Sequence, residues 1–246
     1  MGKKIYSLMD LTSLNETDDS SEIAALCKKA VLAGTVSTPH LCSPSHVAAV
    51  CVYPAFVKQV AVALRGTHVK IATVVNFPHG DDMLGSMIDV IQRALNDGAE
   101  EIDMVFPYAH YLAGKITYTS DIVRACKLAC GDHVLKVILE TGTLNDLHTI
   151  AKVSELSIEA GADFLKTSTG KIAIGATLEA ATVMLTVIKE ISNGSVGLKV
   201  SGGIRTIPQA LEYIALAERI MGTDWVTPIH FRIGASQLVD VLLPYM

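Results

Sequence analysis

The sequence predicts a closed (β/α)8 barrel, a TIM barrel, formed by residues 1–246 as a single domain. Three observations lead there. Eight apolar, β-rich segments alternate with amphipathic segments from end to end. The strand-like segments are continuously apolar rather than alternating, which suits a parallel sheet covered by helices. No Pro/Gly/Ser-rich linker divides the chain. An open doubly wound sheet would usually show a glycine-rich nucleotide turn after its first strand, and "MDLTSLN" contains none.

The elements follow in order. "IYSLMDL" reads as the first strand, and Ser21 as the cap of "EIAALCKKAVLAG", a helix expected to stop at Gly34. "TVSTPHLCSPSH" reads as a long loop inside the first crossover. Strands two to five are expected in "AAVCVYP", "KIATVVNFP", "EIDMVFP" and "HVLKVILET", and strand six in "DFLKTS". Thr177 caps the next helix, which runs to Gly194, and "SVGLKVS" is strand seven. Thr206, with Pro208 in the first turn, opens a helix that stops at Gly222 before the last strand, "HFRIGAS".

Composition narrows the function. The 20 basic and 25 acidic residues form no long run of either sign, so nothing marks a nucleic-acid surface. "MGKK" reaches Asp10 too soon to leave room for a signal peptide's apolar region. The most apolar zone, 47–64, is interrupted by Pro54, Lys58 and Gln59, which excludes a membrane span. The expected location is therefore cytoplasmic. Five cysteines, an odd number, argue against a disulfide framework. Cys126 and Cys130 share a helix face as core thiols, Cys51 reads as a packed thiol, and Trp225 as packing for the last crossover. His40, His46 and His79 form no ligand set, so neither a metal nor another cofactor is expected.

One spacing recurs. Gly98 precedes Asp103 by five residues, and Gly131, Gly161 and Gly194 precede Lys136, Lys166 and Lys199 by the same interval. Side-chain direction has a period of two along a strand, so equal offsets imply equal facing. Charge is hard to justify beneath a helix, whereas inside a barrel it can pair and meet substrate. Barrel stagger would place the four at different depths. A carboxylate among three lysines can hold one amine charged while crowding and desolvation push another toward neutrality. That suggests Schiff-base chemistry on a carbonyl. The offsets do not choose among Lys136, Lys166 and Lys199. "TSTGK", "SGGIRT" and "GAS" follow the last three strands with small residues whose exposed amides suit a phosphate. Other readings on the same barrel are a different phosphosugar lyase, an isomerase, or a protein that only binds a phosphorylated ligand.

"LMDLTSLN", "VCVYP", "IATVVNFPHG", "EIDMVFPY", "KVILETG", "DFLKTSTGK", "GLKVSGGIRT" and "FRIGAS" together resemble the class I, metal-independent deoxyribose-phosphate aldolase family over nearly the whole chain. The resemblance implies reversible cleavage of 2-deoxy-D-ribose 5-phosphate to acetaldehyde and D-glyceraldehyde 3-phosphate, in deoxyribonucleoside catabolism. It places the Schiff-base lysine on Lys166, the proton-relay aspartate on Asp103 and the second lysine on Lys199. The phosphate turns fall on Gly170 and Lys171, on Gly202, Gly203, Ile204 and Arg205, and on Gly234, Ala235 and Ser236. Asp10 and Lys136 would complete the charge network. Gln237 stands where some members carry a second serine, and Tyr245 is not assigned the proton-transfer role of a tyrosine on some members' longer tails. The expected partners are small phosphosugars and aldehydes, with a homodimer compatible with the sequence but not specified by it.

Overall fold

A computed structural model describes residues 2–31 and 46–245. Eight parallel strands close in sequence order, each bonded to its neighbours and β8 to β1: β1 (Met9–Thr12), β2 (Ala49–Val52), β3 (Lys70–Val75), β4 (Glu101–Val105), β5 (Val134–Ile138), β6 (Phe164–Lys166), β7 (Gly197–Ser201) and β8 (Phe231–Ala235). The expected (β/α)8 barrel is the observed fold. Its strands are short and buried on both sides, one face under helices and the other in the interior, which is why they read as unbroken apolar runs.

The helices are α1 (Gly2–Ser7), α2 (Ser20–Ala30), α3 (Val57–Ala63), α4 (Leu84–Asn96), α5 (Tyr108–Leu112), α6 (Ile116–Cys130), α7 (Thr141–Leu144), α8 (Leu147–Glu159), α9 (Leu178–Ser192), α10 (Ile207–Met221) and α11 (Leu238–Leu242). The caps of α9 and α10 are the expected Thr177 and Thr206, which accept from Ala180 N and Gln209 N. Trp225 Nε1 donates to Gly194 O at 2.7 Å, packing the last crossover against the end of α9. Cys27, Cys51, Cys126 and Cys130 are all buried and free.

Two local expectations are corrected. The first apolar segment is not one strand: residues 2–7 form α1, whose Ile5 and Tyr6 enter the core, and β1 starts only at Met9. Ser21 is not the cap of α2. Asp19 is, because its carboxylate accepts from Ser21 N and Glu22 N while Glu22 accepts from Asp19 N, a reciprocal pair that a hydroxyl two residues later cannot form. The segment 35–45 of the expected loop, with His40, and the Gly34 helix stop lie outside the described residues. No helix among the described residues is long and apolar enough to cross a membrane.

Candidate active site

The four residues at the common offset meet inside the barrel. Asp103 Oδ1 lies 2.8 Å from Lys136 Nζ, and Asp103 Oδ2 lies 2.8 Å from Lys166 Nζ and 2.7 Å from Lys199 Nζ. Their depths differ as barrel stagger requires. Asp103 is in register with Lys136, which is in register with Phe164, two residues short of Lys166; Lys166 is then level with Lys199. All four are essentially inaccessible to solvent.

Below them the network continues. Asp10 Oδ2 sits 2.8 Å from Lys199 Nζ and 3.7 Å from Lys136 Nζ. Glu101 Oε2 sits 2.5 Å from Lys136 Nζ. Arg232 spans the floor, donating to Asp10 Oδ1 at 2.6 Å and to Glu101 Oε1 at 2.9 Å, and also to the carbonyl of Pro228. Sequence reasoning missed Glu101 and Arg232. Glu101 lies two residues before Asp103 and shares its facing by the period-two rule, so its signal was present. Arg232 lies ten residues after Gly222, outside the five-residue offset, and only the register with Lys199 reveals it.

These contacts rank the lysines. Lys136 has three carboxylate neighbours and Lys199 has two, and although burial alone would lower both amines, the carboxylates raise them above an ordinary lysine. Lys166 has Asp103 alone. There burial prevails over Asp103, the nearby Lys199 charge adds to it, and the Lys166 pKa is lowered. Asp103 is held well below the usual carboxylate range: burial opposes ionisation, but three ammonium groups together outweigh it. Full ionisation would leave four cations facing three carboxylates. Releasing one proton balances the cluster, and Lys166 is the group that holds its proton least tightly.

Above the network a cavity of about 210 Å³ opens at the carboxyl ends of the strands, where barrel sites lie. Lys166 and Lys199 reach it, whereas Lys136 does not line it. Gly170, Lys171, Gly202, Gly203, Ile204, Arg205, Gly234, Ala235 and Ser236 all line it, and so does Gln237. Gly202 and Gly203 hold consecutive positive φ angles of 89° and 88°, a turn closed to most side chains. Lys171 Nζ reaches Leu14 O at 2.5 Å, tying the turn after β6 to the one after β1. Asp10, Asp103 and Lys136 lie beneath the cavity rather than on its surface. Cys51 stays within reach of this cluster, and burial pushes its thiol up, so it remains protonated. Among the described residues no group of three or more His, Cys, Asp or Glu is arranged to hold a metal ion.

Residues 4–235 match the family described as DeoC/LacD family aldolase. A structure from Coccidioides immitis, provisionally named a deoxyribose-phosphate aldolase, is 31% identical with a TM-score of 0.83, covering 100% of this chain and 87% of that one. A tetrameric deoxyribose phosphate aldolase from Aeropyrum pernix is 26% identical with a TM-score of 0.77, covering 100% and 92%. A Toxoplasma gondii protein, also provisionally named, shares the fold at 23% identity and a TM-score of 0.85, covering 98% and 92%.

Proposed function

The chain belongs to the DeoC/LacD family of aldolases, and from that premise we propose that it cleaves 2-deoxy-D-ribose 5-phosphate to acetaldehyde and D-glyceraldehyde 3-phosphate through a Schiff base on Lys166. One observation carries the assignment of the nucleophile. Of the three lysines around Asp103, Lys166 alone both opens on the cavity and has a lowered pKa.

The neutral Lys166 amine attacks C1 of the open-chain sugar, and loss of water from the carbinolamine gives an iminium. The iminium draws in the electrons of the C2–C3 bond as the C3 hydroxyl gives up its proton. C3 becomes the aldehyde of glyceraldehyde 3-phosphate, and C1 and C2 remain on Lys166 as an enamine. Protonation of C2 and hydrolysis release acetaldehyde and restore the amine. Asp103 lies beneath the cavity, bonded to both Lys166 and Lys199, and is assigned the transfer of these protons through a water, with Lys199 beside it. Asp103, ionised in the resting site, takes up the C3 hydroxyl proton and returns it to C2 of the enamine, so the proton balance closes, while Lys199 stays charged and disfavours a proton on Lys166. Asp10 and Lys136 hold this pair in place. The phosphate docks on the turns after β6, β7 and β8, with Lys171 and Arg205 adding charge.

The test is reductive trapping. Borohydride reduction in the presence of substrate, followed by peptide mass mapping, should place the added mass on Lys166, and Lys166→Ala should abolish it. Mass on Lys199 would reverse the two roles. Equal cleavage of deoxyribose and its 5-phosphate would reject the phosphosugar as substrate.

A further inference from the structure

Glu140 is a fully buried carboxylate that the proposed chemistry does not use. It follows β5 in a left-handed conformation, φ 56° and ψ 60°, rarely adopted by a residue of its kind. Its hydrogen-bond partner is Thr169, and the Lys166 charge acts on it only from a distance. Glu140 Oε2 accepts from Thr169 Oγ1 at 2.5 Å, and Oε1 accepts from Thr169 N at 3.3 Å. Thr169 Oγ1, its own proton spent on Glu140, accepts from Lys171 N at 3.0 Å. Glu140 thus reaches the cavity wall through Thr169, Gly170 and Lys171, the turn that follows Lys166.

We propose that Glu140 is a positioning residue that holds the Thr169–Gly170–Lys171 turn in the shape that receives the substrate's phosphate. The proposal deepens the aldolase reading above and rests on it. Two bonds from one carboxylate fix both the amide and the hydroxyl of Thr169. That hydroxyl in turn occupies the Lys171 amide, leaving the Gly170 amide, at φ 79°, as the turn's remaining donor. A buried, strained acid that forms no ion pair among the described residues is costly to keep for packing alone. Rigid placement of an anion-binding turn gives that cost a function, because donors set in advance need no reordering when the ligand arrives.

The experiment compares Glu140→Ala, Glu140→Gln and Thr169→Val with the unaltered protein, using inorganic phosphate as the probe in a calorimetric titration. Glu140→Ala and Thr169→Val should each weaken phosphate binding by about tenfold, the effect of one charge-assisted hydrogen bond. Glu140→Gln keeps an oxygen that can accept from Thr169 and should bind phosphate within about twofold of the unaltered protein. In turnover, Glu140→Ala should raise KM for deoxyribose 5-phosphate, leave cleavage of deoxyribose little changed, and trap acetaldehyde on Lys166 at the usual rate. A purely structural Glu140 would lower Tm and affect both sugars alike, which overturns the proposal. So does Glu140→Gln behaving like Glu140→Ala, or unchanged phosphate affinity in the folded variants. If Glu140→Ala does not fold, Thr169→Val decides. If the unaltered protein cleaves no phosphosugar, the substrate assignment fails, while the phosphate titration still judges Glu140.

Discussion

Replacing Lys199 by Met should raise the pKa of Lys166 and move adduct formation to higher pH. Both ammonium nitrogens touch Asp103 Oδ2, at 2.7 and 2.8 Å, so they are no more than about 5.5 Å apart. At an effective dielectric constant of about 20, two unit charges at that separation repel by about 3 kcal/mol, or about two pKa units. Removing Lys199 also leaves three cations facing three carboxylates, so Lys166 loses the charge imbalance that favours release of its proton. The fold should survive, because Asp10 keeps Arg232 at 2.6 Å and Asp103 keeps Lys136 at 2.8 Å. The neutral amine is the reactive form, so activity rises with pH through the Lys166 pKa. Below that pKa the variant should trap adduct up to ~100-fold more slowly, following the shift of about two units. The assay is the rate of borohydride-trapped acetaldehyde adduct on Lys166 measured against pH. The rising limb should move up by one to about two units, with much of the rate regained on its plateau. An unmoved limb refutes electrostatic tuning and leaves Lys199 only a proton-transfer role.

Gly175→Ala tests the coupling between the turns after β6 and β7. An added Cβ would lie 2.3 Å from Gly202 O and 2.9 Å from Gly202 Cα, so backbone must move. A stability loss of about 1–3 kcal/mol is expected, with weaker phosphate binding; unchanged Tm and KM would show that the two turns are not coupled. Acid stability tests the interior ion pairs. Asp10 and Asp103 have folded pKa values below their unfolded ones, so their stabilisation is complete above about pH 4 and is lost as pH falls through the folded values. Asp103→Asn should flatten the acid limb of Tm against pH below about pH 4, and a limb of unchanged slope would count against the pairing.

Much of this was legible because four consecutive strands, β4 to β7, are each announced by a glycine. Gly98, Gly131, Gly161 and Gly194 end the preceding connections at one distance from an interior charge, and that regularity exposed the site before any register was known. The same rule hid what did not obey it. Arg232 follows a longer crossover through Thr223–Trp225, so counting from Gly222 does not reach it. The start of the chain misled for a different reason. "IYSL" is apolar and partly β-branched, yet its first three residues end the helix Gly2–Ser7 and bury Ile5 and Tyr6, so tertiary burial overrides local propensity there. Glu140 lies four residues after Lys136, a spacing that shares its facing along a strand. Its left-handed backbone and its grip on Thr169 depend on a turn from another strand, which no local pattern encodes.

The choice of a charged interior over an apolar one follows from what the proposed reaction needs. A lysine in an apolar pocket would lose its proton through desolvation alone, but nothing beside it could then carry protons to and from the substrate. Here seven ionisable groups share the barrel, at a desolvation cost that only close pairing offsets. The pairing is uneven. Lys136, Lys199 and Arg232 each face two or more carboxylates, whereas Lys166 faces one and lines the cavity. The excess positive charge therefore falls on Lys166, an amine that opens on the cavity. Among the carboxylates that keep the other basic groups charged is Asp103, the proposed proton relay. The proposed neutral nucleophile and ionised relay would both arise from one imbalance of charge, so a substitution that restores the balance should disturb both together.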